Sequence, residues 1–326
     1  MNQKVALREL SDLFPKGVEL FIGMASYESR CFSIIETLNL TPSAHCLFFK
    51  SSDVNALVDR NLARMVEMAG DRHTVIELDM DSPIAAADAI SKAIRDYLAA
   101  VLIEHHAFID TTTFTHELLL ILLRVVQQSN ISCKLFMGYT GAEEYSINTD
   151  VEHVWLSRGV SQVRSVLGYP GSFVPSKRLY LIVLAGFEHE RAAAVIEQFE
   201  PAQLTLMCGD PNNSVSASHY ETNKRFFDEL SKFVERTKQT QLAVDTLYFS
   251  CVDPLSVRDL ILDLASKHDN YNIVVCPMNT KISTIGVGMA ALQNERIQIA
   301  YARAIEYNEK GYSKPSTMTT VFEYPN

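Results

Sequence analysis

Two carboxylates stand where acid–base chemistry would need them, each at the end of a strand-like apolar run. Glu28 follows the run Val18–Met24, and Asp110 lies in the run 107–113. Ligands of open α/β sheets bind at the carboxyl ends of the strands, and paired carboxylates there can serve as general acid and base. If the two strands are neighbours, the pair predicts a nucleotide-processing enzyme, either an N-glycosidase or a similar hydrolase.

The same two loops also offer groups that bind an anion. Ser26 and Arg30 flank Glu28. Three consecutive threonines follow Asp110, namely Thr111, Thr112 and Thr113. Hydroxyls and a guanidinium near a helix N-terminus suit a phosphate, although serine and threonine also cap helices and end strands. Both a ligand-binding and a structural interpretation stay open, and neither loop has the glycine spacing of a dinucleotide site or a P-loop.

The matching loops of the second half carry a lysine and an arginine. Asn279, Thr280 and Lys281 follow the run 272–278, and Arg191 lies beyond the run 179–185. The helix dipole opposes a lysine at a helix N-terminus unless the lysine serves an anion held there. We therefore expect these four residues to contact a small anionic ligand.

The segment 276–281 reads Cys-Pro-Met-Asn-Thr-Lys and resembles the strand-four motif of CARF domains, which are Rossmann-like sensors of cyclic oligoadenylates. In that family a Thr-Lys pair follows a strand and faces the ligand. The resemblance implies that residues 279–281 contact a nucleotide-type ligand, together with Gly186 and Phe187. The chain departs from the family pattern at Met278-Asn279, where the family has two glycines. CARF proteins commonly pair two chains around the ligand, which implies a homodimer or two halves within one chain.

Alternating apolar runs and helical patterns predict the scaffold that positions these residues. In each half of the chain, five short runs rich in β-formers alternate with helix-like stretches. This alternation is typical of a parallel sheet covered on both faces by helices. The expected fold class is α/β, with two tandem Rossmann-like units.

The two halves also repeat one another at an offset of about 160 residues. Tyr27-Glu28 matches Phe187-Glu188, Arg30 matches Arg191, and the closing pair Glu144-Tyr145 matches Glu306-Tyr307. The repeat predicts an internal duplication. The expected boundaries are a first unit at 1–145, a linker at 146–177 with a short helix around 159–167, and a second unit at 178–326 with a C-terminal edge strand.

Composition limits the classes of function. The 326 residues are 47% hydrophobic and carry a net charge of −10, which argues against an extended nucleic-acid-binding surface. Six scattered cysteines predict buried, reduced thiols. The apolar runs are too short to span a membrane, and the start of the chain does not resemble a signal peptide, so we expect a cytoplasmic protein. The histidine spacing predicts no metal site, and no cofactor is expected.

Three functions follow from these patterns. The leading hypothesis is a module that senses or binds a nucleotide-type ligand, in a bacterial antiphage defence system as the CARF resemblance implies. The second is a nucleotide-processing enzyme that uses Glu28 and Asp110. The third is a non-catalytic structural subunit of a protein complex, with an edge strand or the segment around Trp155 as its interface.

Overall fold

The computed structural model describes residues 2–100, 106–129, 131, 133–144, 157–237, 242–308 and 314–325. The chain divides into two compact units, one formed by Met1–Tyr145 with Ser313–Asn326 and the other by Ser146–Tyr312. Each unit has its own sheet and its own apolar core. Tyr145, from the closing pair of the first half, and Trp155 lie outside the described residues.

The described residues form thirteen strands and seven α-helices. The strands are β1 (Asn2–Ala6), β2 (Val18–Met24), β3 (Leu40–Ser51), β4 (His73–Leu78), β5 (His106–Asp110), β6 (Lys134–Glu144), β7 (Ser157–Pro170), β8 (Arg178–Leu184), β9 (Gln203–Gly209), β10 (Ala243–Phe249), β11 (Tyr271–Pro277), β12 (Ile297–Tyr307) and β13 (Lys314–Tyr324). The helices are α1 (Ala56–Ala69), α2 (Pro83–Ala100), α3 (His116–Gln128), α4 (His189–Phe199), α5 (Ala217–Thr237), α6 (Pro254–Lys267) and α7 (Lys281–Gln293).

Both sheets are built around five parallel strands in the same spatial order. In the first unit the order is β6-β5-β2-β3-β4, and in the second it is β12-β11-β8-β9-β10. All pairs within these two sets are parallel. The predicted α/β class is confirmed. The common order is what a duplication would produce, and the duplication itself stays a prediction.

Each parallel set is extended by antiparallel strands. Strand β7, from the segment expected to be a linker, pairs with β12. Strand β13, expected at the end of the second unit, pairs with β6 and with β1 in the first unit. The end of the chain therefore returns to the sheet that the start of the chain forms.

These pairings alter the boundaries expected from the sequence. The segment expected to be a linker with a short helix around 159–167 contains β7, whose glycines Gly159 and Gly168 adopt positive φ. The segment expected to be an edge strand of the second unit is β13, which lies between β1 and β6. Long antiparallel pairing satisfies the backbone groups of both segments better than a loop would.

Local sequence explains where the helices begin. Asn55, Thr115, Asp253 and Thr280 each accept hydrogen bonds from backbone N–H groups in the first turn of α1, α3, α6 and α7, respectively. The two units differ after β2 and β8. Ser29–Phe32 forms a 3-10 helix after β2, whereas α4 follows β8.

All six cysteines are buried, and none forms a disulfide, as predicted. Among the described residues, no helix is long and apolar enough to cross a membrane.

Candidate functional site

The strand order reverses at the first strand of each parallel set. Strand β2 lies between β3 and β5, and β8 lies between β9 and β11. In open α/β sheets, such a reversal opens a crevice at the carboxyl ends of the two diverging connections. The loops singled out in the sequence therefore follow adjacent strands in each unit, as the acid–base hypothesis required.

In the second unit, the two loops at the reversal touch through their backbones. A Cβ atom added to Gly186 would lie 1.7 Å from the carbonyl oxygen of Met278. Asn279 donates from Nδ2 to the carbonyl oxygen of Ala185 at 2.7 Å. Glycine at position 186 thus permits a close approach that no side chain would allow.

Two of the three residues expected to bind the ligand make internal contacts. Thr280 is buried and is the N-cap of α7, accepting from Ser283 N at 3.2 Å and donating to the carbonyl oxygen of Cys251 at 3.0 Å. Asn279 holds the loop after β8 and accepts from the Cys251 thiol at 3.4 Å. Their ligand-binding role stays a prediction.

Lys281 is the first residue of α7 and is only half-buried, whereas the next ten residues of this helix are all buried. The helix therefore presents its lysine beside N-terminal N–H groups at the carboxyl edge of the sheet. Both features favour an anion there.

The buried Arg191 forms an ion pair with the half-buried Glu188, which precedes α4. Its guanidinium also donates from Nε to the carbonyl oxygen of Ala302 in β12 at 2.9 Å. In the structure, these contacts fasten the loop after β8 to β12. The ligand role that the sequence indicates for Arg191 stays a prediction.

Arg30 makes the corresponding contacts in the first unit. It donates from Nε to Glu28 Oε2 at 2.7 Å and from Nη1 to the carbonyl oxygen of Thr140 in β6 at 3.1 Å. Arg30 and Arg191 are 7% and 6% exposed, so both guanidinium groups are used inside the fold. Glu28 is held in this ion pair, which limits its use as a general acid or base.

Two asparagines, which the sequence patterns did not single out, also hold the loops after β2 and β8. Asn61 in α1 donates from Nδ2 to the carbonyl oxygens of Ser26 and Tyr27 at 2.8 and 3.2 Å. Asn223 in α5 donates to those of Ala185 and Gly186 at 2.8 and 3.1 Å and accepts from Gly209 N. Their offset of about 160 residues was the available signal, since an asparagine inside a helix has no other signature.

Ser26 and the threonines after β5 bond mainly to backbone. Ser26 Oγ accepts from Glu28 N at 3.3 Å. Thr111 donates to the carbonyl oxygen of Gly138 at 2.8 Å, and Thr113 donates to that of Met24 at 2.5 Å. Thr112 Oγ1 accepts from Thr140 N at 3.0 Å. These bonds tie the end of β5 to its neighbours β2 and β6, and a ligand role for the four hydroxyls stays a prediction.

Asp110 is the perturbed carboxylate of the first unit. It is 2% exposed, and its Oδ1 accepts from Thr112 N at 3.0 Å. Burial raises the pKa of Asp110 from 3.8 to about 7, although Thr112 and the charge of Arg30 oppose that rise. A carboxyl with such a pKa can give or take a proton near neutral pH.

Other polar groups near the strand ends are internally paired. Lys50 at the end of β3 contacts Asp59 and Glu77 at 3.2 and 3.1 Å, and Asp210 accepts from the backbone of the turn that follows it. Over the described ranges, no three His, Cys, Asp or Glu side chains form a group that could hold a metal ion.

No protein-family model matches the sequence, and no curated protein matches it. Among solved structures, the chain is similar to a Type III CRISPR defence DNA nuclease activated by cyclic oligoadenylate, with a TM-score of 0.48 and 9% identity over 84% of this chain and 63% of that one. It therefore spans less than two thirds of that nuclease. It is also similar to the cytoplasmic domain of a prokaryotic cation chloride cotransporter, with a TM-score of 0.27 and 8% identity over 88% of this chain and 96% of that one. Neither similarity assigns this chain to a family.

Proposed function

We propose that the protein binds a small anionic ligand of nucleotide type and acts as a sensor module, in a defence system of the kind that CARF domains serve. The ligand site is the carboxyl edge of the second sheet, where Lys281 begins α7. The supporting observation is the meeting of this helix N-terminus with the strand reversal between β8 and β11.

The geometry suits a phosphate better than a neutral ligand. A helix N-terminus supplies N–H donors and a partial positive charge, and the ammonium of Lys281 adds a full charge beside them. The close packing of Gly186 against Met278 keeps the two loops together and leaves their backbone groups in fixed positions. The CARF resemblance of residues 276–281 favours a cyclic oligoadenylate within the nucleotide class.

Titration calorimetry with mononucleotides, dinucleotides and cyclic oligoadenylates tests the proposal. We expect saturable binding of at least one of these ligands, with heats that shrink as salt is raised, because salt screens the contact with Lys281. Adenosine and free adenine are the matched neutral ligands and should bind much more weakly. If none of these nucleotides produces saturable heat at a protein concentration of about 100 µM, where micromolar dissociation constants are readily detected, the proposal is wrong.

A second function, nucleotide processing, is favoured by Asp110 alone. Its pKa of about 7 suits general acid–base work, whereas Glu28 is paired with Arg30. The corresponding experiment incubates the protein with nucleotides and follows release of the free base by chromatography. If the protein processes nucleotides, it should release the free base, and Asp110→Asn should abolish that release. No base release from any of the nucleotides tested would count against this function.

A further inference from the structure

Two neighbouring strands of the second sheet carry arginines on the same face. In the antiparallel ladder of β7 and β12, Arg164 lies opposite Tyr301. Two residues further along β12, Arg303 lies opposite Gln162. Arg164 and Arg303 are therefore diagonal neighbours, with Cβ atoms about 7 Å apart. Arg164 also donates from Nη1 to Gln162 Oε1 at 3.1 Å, which directs its guanidinium along the ladder toward Arg303.

The arginine face of this sheet is the one on which α7 packs. Val163 and Ala302, which are paired between the two arginines, belong to the apolar core cluster that contains residues of α4 and α5. Because side chains alternate along a strand, Arg164 and Arg303 point to the opposite face. Helix α7 contacts β11 and β12, and none of its residues belongs to that cluster. The arginines and α7 thus share one face.

Arg303 also stands at the edge of the sheet where α7 begins. Strands β11 and β12 are parallel, and Val275 lies opposite Ile299. Strand β11 ends two residues later, at Pro277, whereas Arg303 is four residues beyond Ile299. At about 3.3 Å per residue, Arg303 lies about 7 Å past the end of β11. This is the level of the turn that leads into Lys281, the first residue of α7.

The charges on this face favour an anion. Within residues 162–166 of β7 and 299–303 of β12, neither strand has an aspartate or a glutamate. Like charges at neighbouring positions of a sheet repel each other, and a phosphate between the two guanidinium groups would replace that repulsion with two charge-assisted contacts. Arg164 and Arg303 are partly exposed, in contrast to the buried Arg191. A local cluster of cations can bind an anion even though the whole chain is acidic.

We propose that Arg164 and Arg303 form a second phosphate subsite beside Lys281, and that the ligand of the second unit contacts both subsites through at least two phosphate groups. This inference rests on the anion site proposed at the start of α7. Two kinds of ligand share the required chemistry, namely a nucleoside triphosphate and an oligonucleotide whose phosphates are separated by riboses. A mononucleotide has one phosphate and contacts Lys281 alone.

Dissociation constants for ligands with one phosphate and with several phosphates test the second subsite. AMP, ATP and a cyclic oligoadenylate are titrated into wild type, Arg164→Gln and Arg303→Gln. Each replacement should weaken binding of a ligand with several phosphates at least about tenfold, because it removes a charge-assisted contact, and should change AMP binding less than about twofold. The matched control is Arg178→Gln, since Arg178 is exposed and begins β8 at the opposite edge of the same sheet.

The results distinguish a failure of this inference from a failure of the proposed function. If wild type binds none of the three ligands, both are wrong. If wild type binds AMP as tightly as the other ligands, or if the two test variants bind all ligands as wild type does, only the second subsite is wrong. A tenfold loss confined to ATP assigns the nucleoside triphosphate, and one confined to the cyclic oligoadenylate assigns the oligonucleotide.

Melting temperatures without ligand separate binding from a structural role of the arginines. Arg164→Gln and Arg303→Gln should melt at the temperature of wild type, because each removes one of two like charges and no buried ion pair known from the described residues. A clear drop in melting temperature in both variants would assign the arginines to the fold and would overturn the subsite.

Discussion

Replacing Asp110 by asparagine should change how the stability of the first unit depends on pH. In the folded chain, burial raises the pKa of this carboxyl to about 7, against an ordinary value of 3.8. The folded chain therefore holds the proton more tightly than the unfolded chain does. The stabilisation that comes from this proton is fully present below about pH 4 and is lost as the pH rises through 7.

The size of the effect follows from the gap between the two pKa values, which is about 3. One pKa unit corresponds to about 1.4 kcal/mol, so Asp110 costs the folded chain roughly 4 kcal/mol more at pH 8 than at pH 4. Asparagine has nearly the same shape and does not titrate. The difference in unfolding free energy between wild type and Asp110→Asn should thus fall by up to about 4 kcal/mol across this range.

Urea unfolding followed by circular dichroism from pH 4 to pH 8 measures this difference, with hydrogen exchange of β5 identifying the transition of the first unit. Subtracting the unfolding free energy of Asp110→Asn from that of wild type cancels the contributions of other titrating groups, including His219, to the pH dependence. Burial lowers the pKa of His219 to about 4, so its contribution runs the other way and is lost as pH falls below about 6.5. Parallel pH profiles for wild type and Asp110→Asn would refute the reasoning.

Three other perturbations probe the scaffold. A protease site introduced and cut within 145–156 should leave the two fragments associated on gel filtration, because β13 of the C-terminal fragment lies between β1 and β6. Separate elution without denaturant would contradict this strand order. Gly186→Ala should destabilise the second unit by roughly 3 kcal/mol or more in thermal unfolding, since its Cβ would overlap the Met278 carbonyl, and an unchanged melting temperature would disprove that contact. Arg191→Met should cost about 3 kcal/mol, because it leaves the largely shielded Glu188 without its ion-pair partner. Arg258→Met, which breaks a pair with the exposed Asp259, should cost less than about 1 kcal/mol. Equal losses would contradict a structural role for the Arg191 ion pair.

The sequence predicted the parallel strands and their loops because short apolar runs and helical stretches alternate in it. That pattern depends only on which residues face the core, and both sheets have the expected strands. The last strand of each half could not be placed in the same way. Strands β7 and β13 have mixed polar and apolar faces, and nothing local in them specifies pairing with β12 or with β6.

The loops of the candidate site follow adjacent strands, as the sequence predicts. The roles of individual residues in these loops were harder to predict. Arg30 and Arg191 have the residue type and location of phosphate ligands, yet each pairs with a half-buried glutamate and donates to a backbone carbonyl. A charged residue after a strand looks the same in sequence whether its partner is a ligand or the fold. Asn61 and Asn223 show the converse, since the sequence marks them only by their offset of about 160 residues and their role is visible only in their contacts.

The dissociation constant of the preferred nucleotide for wild type and for Lys281→Ala tests the central claim most directly. Losing one charge-assisted contact should weaken binding at least about tenfold, while Lys267→Ala, which removes an exposed lysine paired with Asp263, should leave the constant unchanged. Equal dissociation constants for wild type and Lys281→Ala would contradict an anion site at the start of α7.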